Sequence, residues 1–153
     1  MADVFSSAVK KSIAHELDAT ALLTTVEQLS RNGEHSLMLE LYKIWLRTNS
    51  GNAMAYAIWF NYGTALSNAG QLDVAKEALT ESVKCNPVFA PAYINLASVY
   101  EKLGQTDQAV QHWTQAAGCI PGINPENILH KTTALKQIGR VLEGVRQEAA
   151  AEQ

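Results

Sequence analysis

The chain has 153 residues, enough for one domain, and 47% of them are apolar, enough for a sizeable core. Its 12 Lys and Arg stand against 15 Asp and Glu for a net charge of −3. The basic residues are dispersed, which excludes the basic stripe of a nucleic-acid binder. No apolar run reaches the length of a membrane span, and no long apolar stretch near the N-terminus marks a secretory signal.

In chain order, residues 3–17 come first. Phe5, Val9, Ile13 and Leu17 recur every four residues, a helical apolar stripe. Residues 1–19 are expected to form a capping helix over the end of a helical stack, because an open end exposes apolar surface. A dimer contact is the alternative role for this helix. Asp18 and Thr20 interrupt it, and Thr20 is expected to cap the next helix.

Residues 20–52 read as two helices, 20–32 and 35–48, separated by Arg31-Asn32-Gly33, a helix stop. Leu22, Val26 and Leu29 line the first, and Met38, Leu41, Tyr42 and Trp45 the inner face of the second. The polar turn Thr48-Asn49-Ser50-Gly51-Asn52 follows.

Residues 53–87 and 88–121 then repeat one another. Trp59, Tyr62, Gly63, Leu66, Gly70, Ala75, Leu79 and Pro87 return 34 residues later as Tyr93, Leu96, Ala97, Tyr100, Gly104, Ala109, Trp113 and Pro121. Each unit reads as a helix pair, near 53–69 with 72–84 and near 88–103 with 106–117. Gly70 and Gly104 suit the left-handed position after a helix end. Asp73 and Asp107 suit the first turn of the second helix, where a carboxylate meets the positive end of the dipole. Gly33 holds the same role in residues 20–52, at a step of 37 rather than 34. That pair is a degenerate copy.

Pro121-Gly122-Ile123-Asn124-Pro125 breaks the chain again. Residues 122–153 read as a partial copy or cap, with one helix to about Ile138, Gly139 in the place of Gly104 and Leu135 in that of Tyr100. Val141, Leu142 and Val145 carry a further helix. About four helix pairs are therefore expected. The two cysteines, Cys85 and Cys119, also lie 34 residues apart. Neighbouring helices pack about 8–10 Å apart, whereas a disulfide needs Cα atoms within about 7 Å. Two free thiols follow, and a reducing compartment, the cytoplasm.

The eight repeating positions follow the order of the tetratricopeptide signature: a large aromatic, Leu-Gly, Tyr, Ala, an aromatic, Pro. The chain resembles that family. The resemblance implies an all-α fold, a right-handed superhelix of antiparallel helix pairs with a concave groove. Trp59, Tyr62, Gly63 and Leu66 fall at i, i+3, i+4 and i+7, a packing face. Ala57, Asn61, Thr64 and Asn68 share another face, and in the next repeat it becomes Pro91, Asn95, Ser98 and Lys102. By the family's architecture these eight line the groove. An asparagine offers one acceptor and two donors, so Asn61 and Asn95, one repeat apart, can pair with the carbonyl and amide of an extended peptide. The competing role is a bridge between neighbouring helices. The equivalent positions are Thr24 and His130. Only Lys102 is placed to clamp a carboxylate, which argues against recognition of an acidic chain end.

No catalytic constellation stands out. His15, His35, His112 and His130 lack metal-ligand spacing. There is no nucleophile elbow and no phosphate-binding glycine loop. No cofactor is expected. Trp45, Trp59 and Trp113 all sit on packing faces and are expected in the core.

A second resemblance rests on Leu41-Tyr42-Lys43-Ile44-Trp45-Leu46, Phe60-Asn61-Tyr62-Gly63, Leu66-Ser67-Asn68-Ala69-Gly70, Ala90-Pro91-Ala92-Tyr93-Ile94-Asn95-Leu96 and Ala134-Leu135-Lys136-Gln137-Ile138-Gly139-Arg140-Val141-Leu142-Glu143. These are similar to the N-terminal repeats of bacterial Spindly-like O-linked N-acetylglucosamine transferases. That resemblance implies a substrate-presenting module, with Asn61 and Asn95 in an asparagine ladder. It places the sugar-nucleotide site in a separate domain, so this chain alone is not expected to be an enzyme. A free-standing adaptor, and a structural unit that dimerises through a helix, are the alternatives.

Overall fold

The computed structural model describes residues 2–119 and 125–152, with side chains at 3–119 and 130–152. The break at Pro121–Asn124 lies outside them. Among the described residues there are eight helices: α1 (Ala2–Ile13), α2 (Ala19–Arg31), α3 (His35–Thr48), α4 (Ala55–Asn68), α5 (Leu72–Cys85), α6 (Ala90–Lys102), α7 (Thr106–Gly118) and α8 (Pro125–Ala151). No strand accompanies them. None is long and apolar enough to cross a membrane.

Three turns of one design join α2 to α3, α4 to α5 and α6 to α7. Gly33, Gly70 and Gly104 have φ of +77°, +76° and +72°. The next residue's amide reaches back to a carbonyl of the last helical turn: Glu34 to Leu29 (2.8 Å), Gln71 to Leu66 (2.9 Å), Gln105 to Tyr100 (2.9 Å). A left-handed residue is strained for anything but glycine, so each glycine both ends a helix and aims the next one back. The result is three antiparallel pairs. They stack through α3 on α4 and α5 on α6, while α4 touches α6 and α6 touches α8. This is a helical-repeat solenoid.

At Gly63 α4 and α5 approach too closely for a side chain. A Cβ there would lie 2.7 Å from Leu79 Cγ. One core runs from Ala8 to Val99, and a second, built on Ala97, Ala109, Trp113, Ala116 and Ala134, lies under α8. Tyr100 packs against both.

At the N-terminal end, α1 lies across α3 and, less closely, α2. It ends at Ile13 rather than at residue 17, because the backbone turns at His15, where φ is +58°. Leu17 is still buried, but from the loop, and its carbonyl accepts a 2.7 Å bond from the Trp45 indole. Ile13, expected in the packing stripe, is 60% exposed. Fully buried Ser12 takes the inner position instead and bonds Thr48 at 2.9 Å. Asp18, not Thr20, caps α2, accepting from the Ala21 amide at 2.8 Å.

At the other end the expected fourth pair does not form. α8 runs 27 residues without a break. Gly139 alone is no stop, because the residues after it already have partners. Arg140 pairs with Glu101 of α6, and Val141 packs on the second core. Leu135, expected in the place of Tyr100, is 53% exposed, and its neighbour Ala134 is buried.

Candidate functional site

The eight expected groove residues rise in two parallel rows, four on α4 and four on α6. None is buried; Asn68 and Lys102 are exposed and the other six partly so. Asn95 Nδ2 donates to Thr64 Oγ1 at 2.8 Å, which ties the two rows together. Asn61 Nδ2 donates to the Ala57 carbonyl one turn back at 3.0 Å. Thr64 and Ser98 likewise bond the carbonyls of Phe60 (2.9 Å) and Ile94 (3.1 Å). Lys102 Nζ reaches Ser67 at 3.2 Å. Asn95 is therefore a helix bridge, and Asn61 is held only within its own helix. Each amide keeps a second N–H, and neither Oδ1 accepts a bond from the described residues.

A cavity of about 440 Å³ opens beside the α4 row. Asn61, Thr64 and Asn68 form its polar wall, and Met38, Leu39, Ala65 and Ala69 an apolar one. Its remaining walls are Ser30 and His35. α4 packs on α3 and makes little contact with α2. The three extra residues of the 37-residue step had been the only sequence signal of that separation. Nothing had pointed to the walls from α2 and α3. Pro91, Asn95, Ser98 and Lys102 do not line this cavity.

A second cavity, of about 530 Å³, was not anticipated. Trp59 and Tyr62 of α4 and Tyr100 of α6 line it, with Lys43 of α3 and Val74, Glu77 and Lys84 of α5. Trp59 stands two residues before Asn61, about 200° round the helix, so this cavity faces away from the asparagines. Trp45 and Trp113 are core residues, with 0% and 2% exposure. Trp59 is only partly buried, contrary to expectation, because it lines this cavity.

Among the described residues the cysteine thiols are not activated as nucleophiles. Burial pushes the Cys85 thiol up, with the Glu81 charge adding to it, and burial also raises Cys119. An activated thiolate needs the opposite shift. Both cysteines are free. Burial pushes Tyr42 up to about 12 and raises Tyr62 too, the latter with help from Glu40. His112 stacks on Tyr100 and Tyr93, with centroids 5.0 and 6.3 Å away. Its pKa is lowered by burial, against a smaller opposing effect of a Gln115 hydrogen bond. Among the described residues no three His, Cys, Asp or Glu gather as a metal site would need.

This geometry defines a class, the helical-repeat scaffold with an open polar face. Family comparison sharpens it. Two tetratricopeptide-repeat family models match residues 56–89 and 78–111, so the central stretch is identified as tetratricopeptide repeats. A curated relative, the TPR repeat-containing thioredoxin TTL4 of Arabidopsis thaliana, is 28% identical over 114 residues. That match covers 70% of this chain but spans only 16% of the relative's length. Among solved structures, the type III secretion chaperone SycD of Yersinia enterocolitica, in complex with a peptide of the translocator YopD, has a TM-score of 0.70. It shares 12% identity, over 80% of this chain and 91% of that one. The first TPR of Spaghetti (RPAP3), bound to the HSP90 peptide SRMEEVD, has a TM-score of 0.66. It shares 14% identity, over 85% and 97% of the two chains. At these identities the likeness to both structures is one of fold.

Proposed function

We propose that the chain is a non-catalytic module that holds an extended segment of a partner protein along the α4–α6 face. The observation that carries this reading is the pair Asn61 and Asn95. They sit one repeat apart on an open face, each with an unused amide N–H and an unused acceptor oxygen, the two groups that a peptide backbone complements. The cavity beside Asn61 adds a place for one side chain, and Met38, Leu39, Ala65 and Ala69 favour an apolar one. Lys102 is the only cation among the eight face residues. The ligand is therefore an internal, largely uncharged segment rather than an acidic chain end. The peptide complexes of SycD and of the Spaghetti repeat support the general mode.

Selection from a random peptide library tests this. Peptides that bind the wild type lose most of their affinity for an Asn61→Ala/Asn95→Ala variant. Unchanged affinity removes the asparagine ladder. Asn95→Ala also loses the bridge to Thr64, so a Thr64→Val variant, which loses the bridge but keeps Asn95, serves as the stability control.

The further reading, a substrate-presenting part of a Spindly-like glycosyltransferase, rests on the sequence motifs and the Asn61–Asn95 spacing. It predicts a sugar-nucleotide-binding domain on the same polypeptide; a gene that encodes none would leave an adaptor. Two free thiols support a reducing, cytoplasmic setting. Fractionation of cells that carry the native protein tests it.

A further inference from the structure

α8 is the longest of the described helices, and among its described side chains one stripe packs against the stack. Ala134, Ile138 and Val141 pack onto the second core. Beside that stripe lie Leu135 and Leu142, 53% and 52% exposed, with Val145 at 43%. Leu135 and Leu142 are seven residues apart and so share a face, and Gly139 stands between them. Nothing lies within 4 Å of where a Gly139 Cβ would be, so a neighbouring helix has room to approach there. Charge along α8 is divided. The half of α8 up to Arg140 carries Lys131, Lys136 and Arg140 against Glu126, and the half beyond it carries Glu143 and Glu148 against Arg146.

Such a helix complements a reversed copy of itself. Parallel copies set like charge on like, whereas antiparallel copies set the basic half on the acidic half. We infer that α8 pairs antiparallel with α8 of a second copy, about a two-fold axis near Gly139. Leu135 then meets the partner's Leu142, and by symmetry the contact occurs twice. Lys136 and Glu143 are also seven residues apart, on one flank of the stripe, so Lys136 lies against the partner's Glu143. Glu143 now bonds Arg146 and Gln147 of its own helix. Exposed pairs of that kind are weak and exchange readily. The contacts of α8 with its own stack stay intact, and the α4–α6 face stays open.

Sedimentation equilibrium of the full chain tests the pairing, from about 1 µM to about 1 mM. The mass is expected to rise from 16.7 kDa toward twice that value. Leu142→Asp, at a position more than half exposed, keeps the helical circular dichroism and holds the mass at the monomer value. Lys136→Glu weakens association by about ten-fold, and Lys136→Glu/Glu143→Lys restores it. A constant monomer mass overturns the proposal, and so does a dimer that ignores Leu142→Asp. A double charge swap that fails to restore the dimer overturns the antiparallel register.

Discussion

Gly63→Ala probes the contact that spaces the first full repeat. The added Cβ would stand 2.7 Å from Leu79 Cγ, 3.0 Å from its Cδ2 and 3.2 Å from its backbone nitrogen. Leu79 is fully buried and has nowhere to swing, and its backbone nitrogen yields only if α5 moves. Overpacking of this kind costs about 1–3 kcal/mol. Replacing a helical glycine by alanine returns about 1 kcal/mol of propensity. The balance is a loss of about 0–2 kcal/mol, or a Tm lower by up to about 8 °C for a chain of this size. Thermal and urea unfolding, followed by circular dichroism, measure it. Ala97 fills the same position in α6, where a methyl is accommodated and fully buried. Ala97→Gly is the counterpart, expected to cost about 2 kcal/mol, about half from propensity and half from the lost buried methyl. A Gly63→Ala protein with a raised Tm would refute the close approach of α4 and α5.

Two more perturbations bear on other parts of the fold. Trp45→Phe leaves the Leu17 carbonyl without its indole donor and trims a fully buried ring, so unfolding free energy falls by about 2–4 kcal/mol. A change under about 0.5 kcal/mol in denaturant titration would show that α1 and its loop are not anchored there. His112→Phe keeps a ring against Tyr93 and Tyr100 and removes the titrating group. The His112 pKa is lowered by burial, so the unfolded chain binds that proton more tightly. Stability from this group is fully present above the unfolded value near 6.5 and is lost as pH falls below it. Tm of the wild type therefore falls more steeply than that of His112→Phe from about pH 7 to about pH 5; parallel curves would contradict the assignment.

Much of this architecture is legible in the residues. The 34-residue return of glycines and aromatics, and the left-handed role of Gly33, Gly70 and Gly104, depend on local geometry that sequence encodes directly. What was not legible depends on neighbours. Ile13 continues the stripe of Phe5 and Val9, yet the chain turns at His15 before the stripe can be used. Gly139 copies the place of Gly104, but Arg140 finds Glu101 and Val141 finds the second core, so the helix continues. Trp59 has the spacing of a packing residue, yet it lines a cavity between helices that spacing along one helix does not show. That these eight residues stay unburied on α4 and α6 was legible from helical spacing. The cavity beside them was not, because Met38 and Leu39 enter from α3, and their meeting with Asn61 is a tertiary contact.

The central claim is that a peptide lies on the α4–α6 face. Chemical-shift mapping of the labelled full chain with a selected peptide tests it most directly. The largest changes are expected at the side-chain amides of Asn61 and Asn95 and at Ala57, Thr64 and Ser98, with the Trp59 indole and Val74 unmoved. Changes centred on Trp59 and Val74, with the two asparagine amides still, would contradict it.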